Sequence, residues 1–126
     1  MKKLIALAIA AITLIFGGCA QASGYRQITQ EEAQKIMQSE SGYIILDVRT
    51  AQEFSGGHIP NAVNVPNESI ETETPKELPD KNQMILVYCR SGRRSKQAAQ
   101  KLADMGYTDV REFGGINTWQ GETTAQ

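Results

Sequence analysis

Apolar positions recur along the chain in short blocks whose spacing switches between two periods. Lys2 and Lys3 precede an apolar stretch from Leu4 to Phe16 that closes on Gly17-Gly18-Cys19. After a short stretch over 24–27 that suits a linker or a first strand, Thr29 and Glu32 have the spacing of a capping box, in which hydroxyl and carboxylate satisfy orphan amides at a helix start. Ala33, Ile36 and Met37 then form a helical stripe that ends near Ser41-Gly42. Tyr43 to Leu46 is continuous and β-branched, as expected of a strand buried on both faces. Ala51 to Phe54 allows a short helix broken by Gly56-Gly57, and Ala62 to Val65 a brief strand stopped by Pro66. Residues 67–82 are acidic and carry Pro75 and Pro79, which predicts a loop with a helical turn or two and a solvated face at Glu68, Glu71, Glu73 and Glu77. Met84 to Tyr88 is the strongest buried strand. Ala98, Ala99, Leu102, Ala103 and Met105 keep helical spacing up to Gly106, a left-handed stop. Asp109 to Phe113 is a last strand and Ile116 to Trp119 a final turn, with Phe113 and Trp119 closing the core. Strands alternating with helices predict an α/β fold: a single domain with a central, mostly parallel sheet flanked by helices on both faces.

The first apolar run differs from the rest. At thirteen residues, Leu4 to Phe16 is short of the about 20 that span a bilayer core. With a basic start and small residues at its end it has the form of an export signal. Residues 1–18 are therefore expected to be a signal peptide ending in a lipobox at Cys19, which would be lipidated; a cut after Ala22, at Ala20-Gln21-Ala22, is the competing route. Residues 19–27 are then a linker and 28–122 the folded domain. Either route puts the protein beyond the cytoplasmic membrane, as a lipid-anchored protein on the extracytoplasmic face or in the periplasm.

Composition narrows the function. The 126 residues suit one domain, and 40% hydrophobic with 21% charged residues is ordinary for a globular protein. Residues 19–126 hold 11 Lys+Arg against 14 Asp+Glu, a weakly acidic body that argues against nucleic acid as a partner. Two cysteines and one histidine cannot build a disulfide framework or a cysteine-based zinc site, so no metal or cofactor is expected.

Cys89 carries the chemistry. It ends the central strand and is followed by Arg90-Ser91-Gly92-Arg93-Arg94 and a helix. A tight loop between a strand end and a helix start aims backbone N–H groups inward, where the helix dipole also favours an anion. A thiol there is expected to ionise readily, and the arginines add charge for an anionic substrate. Arg94, at the helix junction, is expected to face the site, with Arg90 and Arg93 forming a rim. Asp47 and Arg49, at another strand end, are supporting candidates; Arg49 is expected to pair with Glu53 one turn on. His58, before Ile59-Pro60, is read as a packed structural residue rather than a base.

These residues, taken with Leu46-Asp-Val-Arg49, Gly57-His-Ile-Pro60, Ala62-Val-Asn-Val65-Pro66, Tyr88-Cys-Arg-Ser-Gly-Arg-Arg-Ser95 and Gly114-Gly115 to Trp119, resemble a single-domain rhodanese over about Ile28 to Trp119. Asn61 stands where many members have Gly, at a turn position that tolerates Asn. The resemblance implies a thiosulfate-type sulfurtransferase. Cys89 would take a sulfane sulfur from a small anionic donor as a persulfide and pass it to cyanide or a thiol, and Arg90, Ser91, Gly92, Arg93 and Arg94 would bind the donor. A module that carries sulfur or binds a partner without turnover is the alternative. A cysteine-dependent phosphatase is a minor one, because its loop is longer and places Arg where Ser95 stands.

Overall fold

The computed structural model describes residues 24–126. The expected signal segment and Cys19 lie outside the described residues. Five strands form one parallel sheet: β1 (Tyr25–Gln27), β2 (Ile44–Asp47), β3 (Val63–Asn64), β4 (Ile85–Cys89) and β5 (Val110–Gly115), in the order β1-β5-β4-β2-β3. The segment before Ile28 thus contributes an edge strand, with Tyr25 opposite Val110. Helices α1 (Gln30–Ser39), α2 (Ala51–Ser55) and α3 (Arg93–Asp104) connect them. The acidic segment holds a single 3₁₀ turn, Asn67–Ser69, and its four glutamates are exposed.

Local chemistry sets the helix starts. Thr29 and Glu32 form the expected capping box, the Thr29 hydroxyl accepting from Glu32 N at 3.0 Å and the Glu32 carboxylate from Thr29 N at 2.8 Å. A second box, Thr50 with Glu53, opens α2, which has five residues and none buried; its start depends on that cap rather than on a packed face. The helix α3 starts after Gly92 without a side-chain cap and without an acidic residue in its first turn, so its first N–H groups remain free for another acceptor.

The sheet is covered on both faces, as a parallel sheet requires. Ala98, Ala99 and Leu102 of α3 pack with Leu46, Ile85, Val87 and Val110 on one face. Ala33 and Ile36 of α1 pack with Ile45, Leu86 and Phe113 on the other, and Trp119 closes that cluster at its half-buried rim. Ile70 and Leu78, both 0% exposed, anchor the 67–82 segment, and the Tyr107 hydroxyl donates to Leu78 O at 2.5 Å.

Because all strands run the same way, Asp47, Cys89 and Gly115 come to one edge of the sheet. From β4 the chain leaves towards β5, and from β2 towards β3, on the opposite side. The crevice between these departures is where an open α/β sheet binds its ligands.

Its far wall rests on a buried ion pair. Asp47 is 0% and Arg49 6% exposed, and the guanidinium donates to both carboxylate oxygens, to Oδ2 at 2.7 Å and to Oδ1 at 3.1 Å. The expected partner of Arg49, Glu53, is engaged elsewhere. Arg49 turns back to the strand end because there it also reaches Gly57 O, at 2.7 Å, and lies over the Tyr88 ring. Asn64 donates to the carbonyls of Asp47 and Arg49 and ties β3 to the same turn. Replacing Arg49 with Ala leaves the buried Asp47 carboxylate without its cation, and is expected to lower the unfolding free energy by about 3–5 kcal/mol. Urea denaturation measures it; a loss below about 1 kcal/mol would place the pair with exposed ones.

Candidate functional site

The site is built on the bend from β4 into α3. Cys89 is 1% exposed, so a charge on its sulfur must be solvated by the protein itself. Gly92 N donates to Sγ at 3.0 Å, and the Ser95 hydroxyl stands 3.4 Å away. Burial pushes the thiol up, but the Ser95 hydroxyl and the backbone N–H groups of Ser95, Gly92 and Ser91 outweigh it, and the thiol ionises below its ordinary value.

Two glycines make that bend possible. Gly92 has φ +104°, a left-handed conformation that turns its N–H onto the sulfur. Across the sheet, β5 carries a bulge: Val87 faces Glu112 but Cys89 faces Gly115, an extra residue on β5 absorbed at Gly114, φ +94°. A Cβ on Gly115 would collide with the Arg90 carbonyl. The loop therefore leans directly on β5, and Asn117 N holds Arg90 O at 3.1 Å.

Each expected residue of the loop has a place. Arg90, Ser91 and Arg93 are exposed, Gly92 is buried and Arg94 is half-buried. Arg94 is close enough for the charge of Cys89 to favour its cation. Its guanidinium, however, is gripped in bidentate fashion by Glu53 of α2, at 2.8 Å and 3.1 Å. This pair bridges the crevice between the β2 and β4 sides. Arg94 holds the Glu53 carboxyl down at about 2, with help from Thr50 and against the effect of burial. Beside the pair lies a cleft of about 340 Å³ bordered by Arg49, Gln52, Gly57, Arg90, Ile116 and Asn117.

Asp47 and Arg49 form the wall of this region rather than touching the sulfur. The Tyr88 hydroxyl, on the opposite face from Cys89, accepts from Ile59 N at 3.1 Å. His58 is structural: 3% exposed, stacked on Phe54 at 3.7 Å, with its ring nitrogens against Phe54 O and Gln126 O. Asn61 adopts φ 72° in its turn. Ser95, Glu53 and Glu112 were not among the expected site residues. A signal for Glu112 was present, since a strand alternates its faces and Glu112 shares a face with the buried Val110.

A cysteine held this way, at the switch point of a five-stranded parallel sheet, defines an α/β protein built to stabilise an anionic sulfur. A rhodanese-like domain matches residues 29–122, and the chain belongs to that family. It is 38% identical over 71 residues to thiosulfate sulfurtransferase PspE of Escherichia coli, covering 56% of this chain and 68% of that protein. Thiosulfate sulfurtransferase GlpE of Pseudomonas savastanoi is 35% identical over 97 residues, covering 76% of this chain and 88% of that one. Among solved structures, rhodanese with anions from E. coli superposes with a TM-score of 0.61 at 32% identity, covering 67% of this chain and 99% of that one.

The Glu53–Arg94 pair makes a pH-dependent contribution of known sign. A folded carboxyl lowered from 4.5 to about 2 adds stability that is present above 4.5 and is lost as pH falls through that window. Urea unfolding of the native protein and of Glu53→Gln, which keeps the capping geometry, should differ near neutral pH. The gap should close as pH approaches about 2; a gap independent of pH would show that the carboxylate charge contributes nothing.

Proposed function

We propose that the protein is a sulfurtransferase that accepts a sulfane sulfur from a thiosulfate-like donor on Cys89 and delivers it to cyanide or a thiol. The observation that carries this reading is the convergence of backbone N–H groups and a helix start on one buried sulfur. The Cys89 thiolate attacks the outer sulfur of the donor. The sulfur–sulfur bond to the sulfite group breaks, and sulfite leaves with the electron pair. The persulfide anion keeps its charge on the terminal sulfur, within the same N–H cradle. An acceptor nucleophile then attacks that sulfur, and the bond pair returns to Cys89 as thiolate. No net proton is required.

The short loop supports sulfur rather than phosphoryl chemistry. Four residues separate Cys89 from Arg94, a loop too short to encircle a phosphoryl group, and Ser95 stands where a phosphatase loop places its arginine. Exposed Arg90 and Arg93 supply charge that draws the donor in.

Incubation with thiosulfate should add one sulfur atom to the intact mass, located at Cys89, and cyanide should then remove it with release of thiocyanate. Cys89→Ser should abolish both steps while the fold persists, because a hydroxyl is not ionised at neutral pH. Retained turnover in Cys89→Ser would reject the mechanism, and a single loading without steady-state turnover would identify a carrier instead.

The proposal includes export and lipidation at Cys19, supported by the pattern of Lys2, Lys3 and the apolar run before Gly17-Gly18-Cys19. The mature protein should partition with membranes and Cys19→Ala should release it from them. A mature N-terminus at Ser23 in a soluble extract would establish the other cut.

A further inference from the structure

One buried carboxylate lies under the Cys89 loop and has no part in the transfer described above. Glu112, on β5, is 2% exposed. It accepts from the Ser95 hydroxyl at 2.5 Å and from Gly114 N at 2.9 Å, and among the described residues no lysine or arginine forms an ion pair with it. Ser95 is itself 0% exposed and is the same residue whose hydroxyl stands 3.4 Å from Cys89 Sγ.

A serine hydroxyl carries one proton. Turned towards the carboxylate, it leaves Ser95 Oγ free only to accept, so the Ser95–Cys89 contact is then made by the thiol's own proton. Turned towards the sulfur, where it adds to the backbone N–H groups, it leaves Glu112 with the Gly114 N–H alone; the Gly92 carbonyl, 3.1 Å from Ser95 Oγ, is the other acceptor within reach. The carboxylate and a charged Cys89 sulfur therefore compete for one proton, and their like charges oppose each other across the same buried serine. At rest the Ser95 hydroxyl donates to Glu112 at 2.5 Å and the Cys89 thiol donates to Ser95 Oγ at 3.4 Å, an ordinary separation for sulfur.

We propose that Glu112 is a positioning residue that acts through Ser95 to limit the stabilisation of negative charge on the Cys89 sulfur. It keeps the resting site closer to the thiol and the loaded sulfur easier to give up. The role rests on Cys89 being the sulfur carrier, but its test needs no sulfur donor. The other charged groups around the sulfur are Arg94 and Lys96 of α3, with Lys96 Nζ beside Gly92, the exposed Arg90 of the loop, and Glu53 of α2 behind Arg94. Tyr88 and Arg111 lie on the opposite face of the sheet, Tyr88 in the α1-side cluster and Arg111 in a cleft with Lys35.

The experiment is the pH dependence of iodoacetamide alkylation at Cys89, read by the mass of its peptide. Glu112→Gln keeps the shape, can donate to Ser95 Oγ and so frees the hydroxyl proton for the sulfur. The midpoint should fall by about one pH unit, giving roughly tenfold faster alkylation at a fixed pH below both midpoints. In a Ser95→Ala background the same replacement should shift the midpoint less, because only through-space charge remains. A midpoint that is unchanged or raised in Glu112→Gln overturns the proposal, and so does an equal shift in both backgrounds. The unmodified protein supplies a second reading that does not depend on a variant folding. The Ser95 hydroxyl proton should give a far-downfield, slowly exchanging resonance whose position changes at the midpoint of the Cys89 titration. A resonance indifferent to that titration overturns the proposal as well.

Discussion

A negatively charged sulfur that is 1% exposed has almost no water to solvate it, and the architecture around Cys89 follows from that constraint. Donors must come from the backbone, they must come from several residues at once, and they must arrive within about six residues of chain. A parallel strand running into a helix meets those conditions only if the connection is tight. Tightness in turn demands a left-handed Gly92 and a neighbouring strand without a Cβ at Gly115. The bulge at Gly114 is the third consequence, because a regular β5 would not bring Gly115 opposite Cys89. The apolar layers on either face hold this edge rigid; the edge is where the fold departs from regularity.

Around the sulfur, polar groups are arranged so that each wall of the crevice is tied to the next. Asp47 and Arg49 close the turn after β2, Asn64 attaches β3 to it, and Arg49 reaches the Gly57 carbonyl beyond α2. The helix α2 buries no residue completely, and it is held by its cap, by the Glu53–Arg94 pair and by the stack of Phe54 on buried His58. That pair makes Arg94 a fastener between the two halves of the crevice as well as a nearby charge. It explains why a guanidinium only five residues from the cysteine is not free to wrap a donor.

Much of the fold was legible because its signals are local. Thr29 with Glu32, the apolar runs at 43–46 and 84–88, the helical stripe before Gly106 and the loop cysteine each state their structure within a few residues. The observed strand and helix ends differ from these expectations by a few residues, as frayed ends do. What escaped depends on partners distant in sequence. Arg49 and Glu53 have the right helical spacing to pair, yet buried Asp47 outbids Glu53 for the guanidinium because a dehydrated carboxylate gains more from a bidentate cation than an exposed one does. Glu53 then finds Arg94, 41 residues on. Glu112 and Ser95 meet only because β5 lies beside β4, a neighbourhood that no run of adjacent residues announces.

Two carboxylates linked to the sulfur through its neighbours share a feature that bears on the proposed transfer. Glu53 engages the guanidinium of Arg94, which feels the charge of Cys89, and Glu112 engages the hydroxyl of Ser95, which touches the sulfur. On the proposed role of Glu112, each would take from Cys89 part of the stabilisation that the surrounding donors could have supplied. A site that only captured sulfur would leave those donors uncontested, since every added interaction would deepen the persulfide well. A transferase must pass the atom on, and its second step starts from that well. An interaction that stabilises the intermediate and not the transition states on either side of it slows delivery by as much as it favours capture. In the proposed transfer, backbone N–H groups directed at the sulfur, with side-chain donors partly engaged by carboxylates, would leave the intermediate charged and ordered without making it a sink.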